Sequence, residues 1–248
     1  MTGVLRLPRD AALFLDFDGT LVEIARDPEL VVVPPALKDT LACLTARHAG
    51  ALALVSGRAI SDLDRFLAPL QPLAAGLHGL ERRLPDGTIE RAAAPRWIAE
   101  IAPEIQLFAA RHPGLRVENK RLTIAVHYRG APELAETVRQ FVDACAAGLE
   151  HRATVQLGKM VIELRPAGRD KGAAIAAFMD RPPFAGRTPV FVGDDLTDEH
   201  GFAAVNRLGG RSIRVGAEGE GETSATASLP DVAAVQTWLQ ENLRTGTR

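Results

Sequence analysis

The sequence is short of cysteine, of net charge and of long apolar runs, and each shortage closes off a class of protein. Its two cysteines, Cys43 and Cys145, lie far apart and form no C-x-x-C pair. That leaves neither a disulfide framework nor thiolate spacing for a metal, and buried free thiols are expected at both positions. A net charge of -2 gives no basic excess to displace counterions along a nucleic-acid backbone. No nucleic-acid partner is expected, and any anionic ligand must be small and locally bound. No window reaches the roughly 18 uninterrupted apolar residues of a membrane span, so no membrane partner is expected. The apolar run after MTGVLRLPRD is broken at once by Asp16 and Asp18, unlike a signal peptide, and a cytoplasmic location is expected. The glycine-rich, acidic GAEGEGETSATAS lacks the G-x-x-x-x-G-K-[ST] pattern for nucleotide phosphates and reads as a surface loop.

What is present is enough apolar sequence, 46% of 248 residues, to bury one large core or a core with a smaller companion. The first part alternates short β-type runs with helical stretches: AALFLDF, a helix opening at Pro34-Pro35, ALALVS, a helix from about Ala59, and PLAAGL. This rhythm predicts βαβ units and a parallel sheet. A hairpin follows around Pro85-Asp86-Gly87. Between about 94 and 166 the order becomes helix, two strands, helix, two strands, with the second hairpin turning at Gly158-Lys159. The α/β rhythm then returns, and LRTGTR at the end reads as frayed. The expected fold is α/β: a Rossmann-like parallel-sheet core formed by 1–93 and 167–248, with an inserted α+β domain of αββαββ type at 94–166.

Asp16 and Asp18 stand at alternate positions where the buried strand LFLDF gives way to a turn, so both carboxylates can face the crevice at the sheet's C-terminal edge. Two buried carboxylates this close repel unless a cation or a shared proton intervenes, and a hard metal such as Mg²⁺ relieves the repulsion. A solvated acidic turn is the plainer explanation of this pair alone. Ser56-Gly57-Arg58 ends another apolar strand, with a hydroxyl and closely spaced amides suited to a phosphoryl oxygen. Lys171 opens a helix behind Asp170, a candidate N-cap. A lysine in a first turn is placed against the helix dipole and needs an anionic partner. In PVFVGDDLTDE an apolar strand terminates in Asp194, Asp195, Asp198 and Glu199, a charge density that suggests a metal, although acidic residues also suit a helix N-terminus.

The segment Asp16-Phe17-Asp18-Gly19-Thr20 resembles the first signature, D-x-D-G-T, of the haloacid dehalogenase-like superfamily, and the other three motifs follow in that family's order. The resemblance implies a phosphatase in which Asp16 attacks phosphorus and Asp18 first protonates the leaving oxygen, then activates water. It implies that Ser56, Thr20, Gly57, Arg58 and Lys171 surround the phosphoryl group. It also implies Mg²⁺ as cofactor, held by Asp16, the backbone carbonyl of Asp18 and Asp194, with Asp198 orienting the set.

The insert matches the position of a lid that supplies substrate contacts in this superfamily. The strings GLHGLERR, VENKRLTIAVHYR, GKMVIELRPAGRDKG and GDDLTDE resemble the trehalose-6-phosphate phosphatase family, over nearly the whole chain. By that resemblance Glu118, Lys120, Lys159 and Glu163 contact sugar hydroxyls, groups that donate to carboxylates and accept from ammonium ions. It further implies a small sugar phosphate as substrate and a functional link to a trehalose-6-phosphate synthase. Asn119 carries less weight, His78 and Glu81 read as structural or hinge residues, and His127 and Tyr128 read as strand residues. Other sugar-phosphate phosphatases, for sucrose phosphate or mannosylphosphoglycerate, and a catalytically silent phosphosugar-binding regulatory subunit are the alternatives. Retention of Asp16, Asp18, Lys171 and Asp194 speaks against the silent form.

Overall fold

The computed structural model describes residues 5–25, 27–158, 160–216 and 222–244. The chain divides into two units, Met1–Glu90 with Asp170–Arg248, and Arg91–Arg169. The first unit begins with β1 (Ala11–Leu15), α1 (Pro35–Arg47), β2 (Leu52–Val55), α2 (Ile60–Leu67), β3 (Leu73–Gly76), β4 (Glu81–Arg83) and β5 (Ile89–Arg91). The second unit contains α3 (Arg96–Ala110), β6 (Arg116–Asn119), β7 (Ile124–His127), α4 (Ala135–Ala147), β8 (Ala153–Gly158) and β9 (Val161–Pro166). The first unit then resumes with α5 (Lys171–Met179), β10 (Thr188–Gly193), α6 (Glu199–Arg207), β11 (Arg211–Val215), β12 (Ala227–Leu229) and α7 (Val232–Arg244).

In the first unit the strand order is β12-β11-β10-β1-β2-β3-β4-β5. The strands from β12 to β3 are mutually parallel, and β4 runs antiparallel to β3. Parallel strands covered on both faces carry unbroken apolar runs, and β1 is buried at every position. Its side chains alternate. Ala11, Leu13 and Leu15 join a layer with Leu37, Leu41 and Leu44 of α1 and Val235 and Leu239 of α7. Ala12 and Phe14 face the other way, toward Ile175 and Phe178 of α5 and Phe202 and Val205 of α6. Burying each such large side chain contributes about 1.5–3 kcal/mol. Phe14→Ala, which removes a ring stacked on Phe184 at 5.2 Å, would cost about 3–5 kcal/mol.

The second unit is an αββαββ fold with one sheet of order β6-β7-β9-β8. Ile124 and Val126 of β7 and Ile162 and Leu164 of β9 pack on Trp97, Ile101 and Ile105 of α3 and on Val138 and Val142 of α4. The strand period of two sends Glu118, His127 and Glu163 to the opposite face. In the ladder, Glu118 and Glu163 both pair with Ala125.

Two expectations are corrected. Ala227–Leu229, which begins inside the stretch read as a loop, forms a strand parallel to β11; three edge residues are too few to show alternation in sequence. Residues 217–221 of that stretch, Lys159 and residues 245–248 lie outside the described residues. The second helix of the insert, α4, is preceded by a tight turn, Pro132–Leu134. The cysteines are free but not buried: Cys43 is exposed and Cys145 half-buried. The core face of α1 is spent on Leu37, Leu41 and Leu44, and Cys43 falls outside that stripe.

Candidate active site

Strand β1 delivers Asp16 to the edge of the sheet, where its N–H still bonds the Val192 carbonyl at 2.9 Å. Asp16 is in phase with Ala12 and Phe14, so its side chain is directed to the face covered by α5. At the first position of α5 stands Lys171. Asp170 caps this helix, its side chain accepting from the Ala173 N–H at 2.7 Å, and Gly172 lets the helix start lie against the His200 carbonyl of α6, where a Cβ would collide. The buried Lys171 Nζ lies 3.0 Å from Asp16 Oδ1 and donates to Asp198 Oδ1 at 2.6 Å.

The acidic run after β10 is sorted by its contacts. Asp198 is fully buried, and its second carboxylate oxygen accepts from the Asp194 and Asp195 N–H groups at 2.9 and 3.0 Å. That turn requires Gly193, where a Cβ would strike the Asp198 carboxyl group. Asp195 caps the turn by accepting from the Thr197 N–H at 2.8 Å. Glu199 points away from this work: it accepts from the Thr223 hydroxyl and the Ser224 N–H at 2.6 and 2.7 Å and fastens the segment leading to β12. Gly19, at φ +77°, has no room for a Cβ because the Asp194 carboxylate lies against it, and the buried Thr20 hydroxyl approaches Asp194 Oδ1 at 3.4 Å.

Burial pushes the Asp16 carboxyl well above its ordinary range; Lys171 opposes this, while Asp198, Asp194 and Asp195 reinforce it. Burial likewise raises Asp198, to about 6, against the pull of Lys171. Burial disfavours the Lys171 ammonium, but Asp16 and Asp198 outweigh it and hold the lysine charged, above the usual range. One ammonium among these carboxylates leaves an excess of negative charge in a low-dielectric site. Oxygens of Asp16, Asp194 and Asp198 all lie within 4.8 Å of one another. An all-carboxylate donor set with uncompensated charge fits a hard divalent cation.

Beside this cluster, Arg58 holds the Asp18 side chain through two hydrogen bonds and reaches the Pro28 carbonyl at 3.0 Å. Its guanidinium lies over Phe66, 4.9 Å from the ring centroid. The Arg58 guanidinium thus engages Asp18. Ser56 is buried, and its Oγ accepts from the Arg58 N–H at 3.2 Å, which leaves the hydroxyl proton available to an oxygen ligand.

In the second unit, Glu163 accepts from the Thr123 hydroxyl at 2.6 Å and lies 3.6 Å from Lys120 Nζ. Glu118 lies 3.0 Å from His127 Nε2 and 4.0 Å from Lys120 Nζ. The expected residues Glu118, Lys120 and Glu163 thus form one cluster, joined by Thr123 and His127. Thr123 is not singled out by the sequence and His127 reads there as a strand residue, although the alternation that puts Glu118 on this face puts His127 there too. The hydrogen bond with His127 holds the Glu118 carboxyl below its usual range, against the opposing effect of burial.

A parallel sheet with acidic residues gathered at its C-terminal edge, and an inserted αββαββ unit, is the haloacid dehalogenase-like fold. A phosphatase of that superfamily from Bacteroides thetaiotaomicron has the same fold, with a TM-score of 0.63 at 18% identity over 99% of this chain and 98% of its own. The chain belongs to the trehalose-phosphatase family, whose sequence profile matches residues 14–233. It is 42% identical over 241 residues to the trehalose-6-phosphate phosphatase of Escherichia coli, covering 97% of this chain and 89% of that protein. A solved trehalose-6-phosphate phosphatase related protein superposes with a TM-score of 0.79 at 29% identity, covering 94% of this chain and 97% of that one. Family membership makes the chain a phosphoric monoester hydrolase.

Proposed function

We propose that the chain hydrolyses trehalose 6-phosphate to trehalose and phosphate, in trehalose biosynthesis, through an aspartyl-phosphate on Asp16 with Mg²⁺ as the cation. The observation that supports this most is the buried Lys171 ammonium 3.0 Å from Asp16 Oδ1, in a cluster with surplus negative charge. An Asp16 oxygen attacks phosphorus, and the bond to the sugar oxygen breaks as Asp18 donates a proton to it. Asp18, now a base, takes a proton from water, whose oxygen attacks the same phosphorus and frees Asp16. Lys171, the Ser56 hydroxyl and the Gly57 amide, with Thr20 nearby, balance charge on the phosphoryl oxygens. The Arg58 side chain orients Asp18.

Asp16, Asp194 and the Asp18 carbonyl would hold Mg²⁺, with Asp198 orienting the set; bound there, the cation neutralises charge on the phosphoryl oxygens. Glu118, Lys120 and Glu163, with Lys159, contact sugar hydroxyls. The substrate links the enzyme to a trehalose-6-phosphate synthase as its source. Phosphate release from a panel of trehalose, sucrose and mannosylglycerate phosphates tests the reading: trehalose 6-phosphate should have the highest kcat/KM, and another ester outranking it refutes the substrate. Asp16→Asn should abolish turnover, and undiminished turnover refutes the covalent step.

A further inference from the structure

The segment Gly76-Leu77-His78-Gly79-Leu80-Glu81 runs from the end of β3 into β4, and its first three residues, with Ala75 before them, lie against the Ser56-Gly57-Arg58 loop. Backbone bonds join them: the Ser56 N–H to the Ala75 carbonyl at 2.9 Å, the Leu77 N–H to the Arg58 carbonyl at 2.9 Å and the His78 N–H to the Ser56 carbonyl at 3.0 Å. Both contacts have been cleared of side chains. A Cβ on Gly76 would stand 2.9 Å from the Arg58 carbonyl oxygen and the Ile60 nitrogen, and one on Gly57 would stand 2.7 Å from His78 Nε2.

Leu77 and His78 adopt φ values of 50° and 55°, a left-handed conformation that costs a non-glycine residue about 1–2 kcal/mol. Strain of this kind persists where surrounding bonds over-determine it. Helix α2 meanwhile begins with Ala59 at its N-cap, which has no side chain to satisfy the first amides. The buried Glu81 carboxylate supplies an acceptor from across the sheet, taking the Ile60 N–H at 2.9 Å. Glu81 sits opposite Gly76 in the β3–β4 ladder, so the carboxylate and the cleared glycine act on one amide. Two residues on, Arg83 forms a two-pronged bond to Asp64, one turn further along α2.

We infer that Glu81 is a positioning residue for the phosphoryl-binding loop: by capping Ile60 N–H it holds α2 and residues 56–58 in the register that presents Ser56 Oγ and the Gly57 amide to the phosphoryl group. This rests on the phosphoryl role of Ser56 proposed above. A misplacement of about 1 Å at a binding group costs on the order of 100-fold in rate, so Glu81→Ala, acting through the loop, should lower kcat by about 10- to 100-fold.

The experiment measures kcat, KM and the inhibition constant of inorganic phosphate for Glu81→Ala, Glu81→Gln, Ser56→Ala and Asp64→Ala, with Tm for each. Glu81→Ala should lose kcat and bind phosphate more weakly. Glu81→Gln, whose carbonyl oxygen can still accept, should recover most of both. Asp64→Ala should lower Tm and leave kcat and phosphate inhibition near those of the unsubstituted protein. The inference is overturned if Glu81→Ala keeps kcat and phosphate inhibition while Ser56→Ala loses them, or if Asp64→Ala loses as much kcat as Glu81→Ala at equal loss of Tm. If Ser56→Ala is itself without effect, the phosphoryl role of the loop has failed and the inference falls with it. Should Glu81→Ala not fold, Gly76→Ala presses on the same amide with Glu81 intact, and unchanged kinetics there overturn the inference equally.

Discussion

Arg58 grips the Asp18 carboxylate with two hydrogen bonds, Nε to Oδ2 at 2.6 Å and Nη2 to Oδ1 at 2.7 Å. The fork is itself braced by the Pro28 carbonyl and by Phe17 and Phe66, so it fixes the direction from which Asp18 can exchange a proton.

A lysine at position 58 keeps the charge but not the planar fork. Hydrogen bonds to charged groups contribute about 1.5–3 kcal/mol, so Arg58→Lys should lower kcat by about 10- to 100-fold. Because Asp18 is proposed to act in both steps, rapid-quench kinetics should show formation and breakdown of the phosphorylated enzyme slowing together.

The Lys171–Asp198 pair is fully enclosed, and its second acidic oxygen is committed to two amides. Without Asp198 the lysine still has Asp16 at 3.0 Å, but the Asp194 and Asp195 amides lose their acceptor, and leaving buried polar groups unmet costs about 1–3 kcal/mol. Urea denaturation of Asp198→Ala should show a loss of that size. Asp198→Asn, which can still accept from the amides, should lose less.

The raised carboxyl groups make cation binding proton-linked. Their folded values lie above the ordinary range, Asp198 at about 6, so the metal-free protein takes up protons that the unfolded chain does not hold near pH 5. The sign follows from linkage: these groups add stability to the metal-free protein at low pH, and that contribution is lost as pH rises toward and through 6. A divalent cation must displace the same protons. Titration calorimetry with Mg²⁺ should give weaker binding at pH 5.5 than at pH 7.5, with protons released at the lower pH. Mg²⁺ should also raise Tm by mass action, and Asp194→Asn should reduce that shift.

In the second unit, Thr123→Val removes the hydroxyl that holds Glu163 at 2.6 Å while keeping side-chain size. Trehalose 6-phosphate should show a higher KM, by about 10-fold for a charge-assisted bond worth roughly 1.5 kcal/mol. Turnover of p-nitrophenyl phosphate, which has no sugar hydroxyls to orient, should be nearly unchanged.

Much of the site was legible because its residues interrupt apolar patterns. Asp16 ends a fully buried strand, Asp194 ends another, and Lys171 stands in a first turn where a cation is otherwise unfavourable. The fates of neighbouring acids were not legible. Asp195, Asp198 and Glu199 share chemistry and nearly share position, yet one caps a turn, one binds Lys171 and one fastens Thr223 and Ser224. The Asp195 cap is local, on the Thr197 N–H, but the partners that separate Asp198 from Glu199, Lys171 for one and Thr223 with Ser224 for the other, arrive from elements far along the chain.

The sequence by itself determined the alternation of strands and helices, the inserted αββαββ unit and the order of the four motifs, because side-chain period and turn chemistry are properties of neighbouring residues. Only the tertiary structure decided that Arg58 serves Asp18 and that Thr123 serves Glu163, each pair separated by 40 residues, and that Glu81 anchors the start of α2. Those choices depend on which backbones pack together and on where glycines let them approach, and no local pattern carries that information.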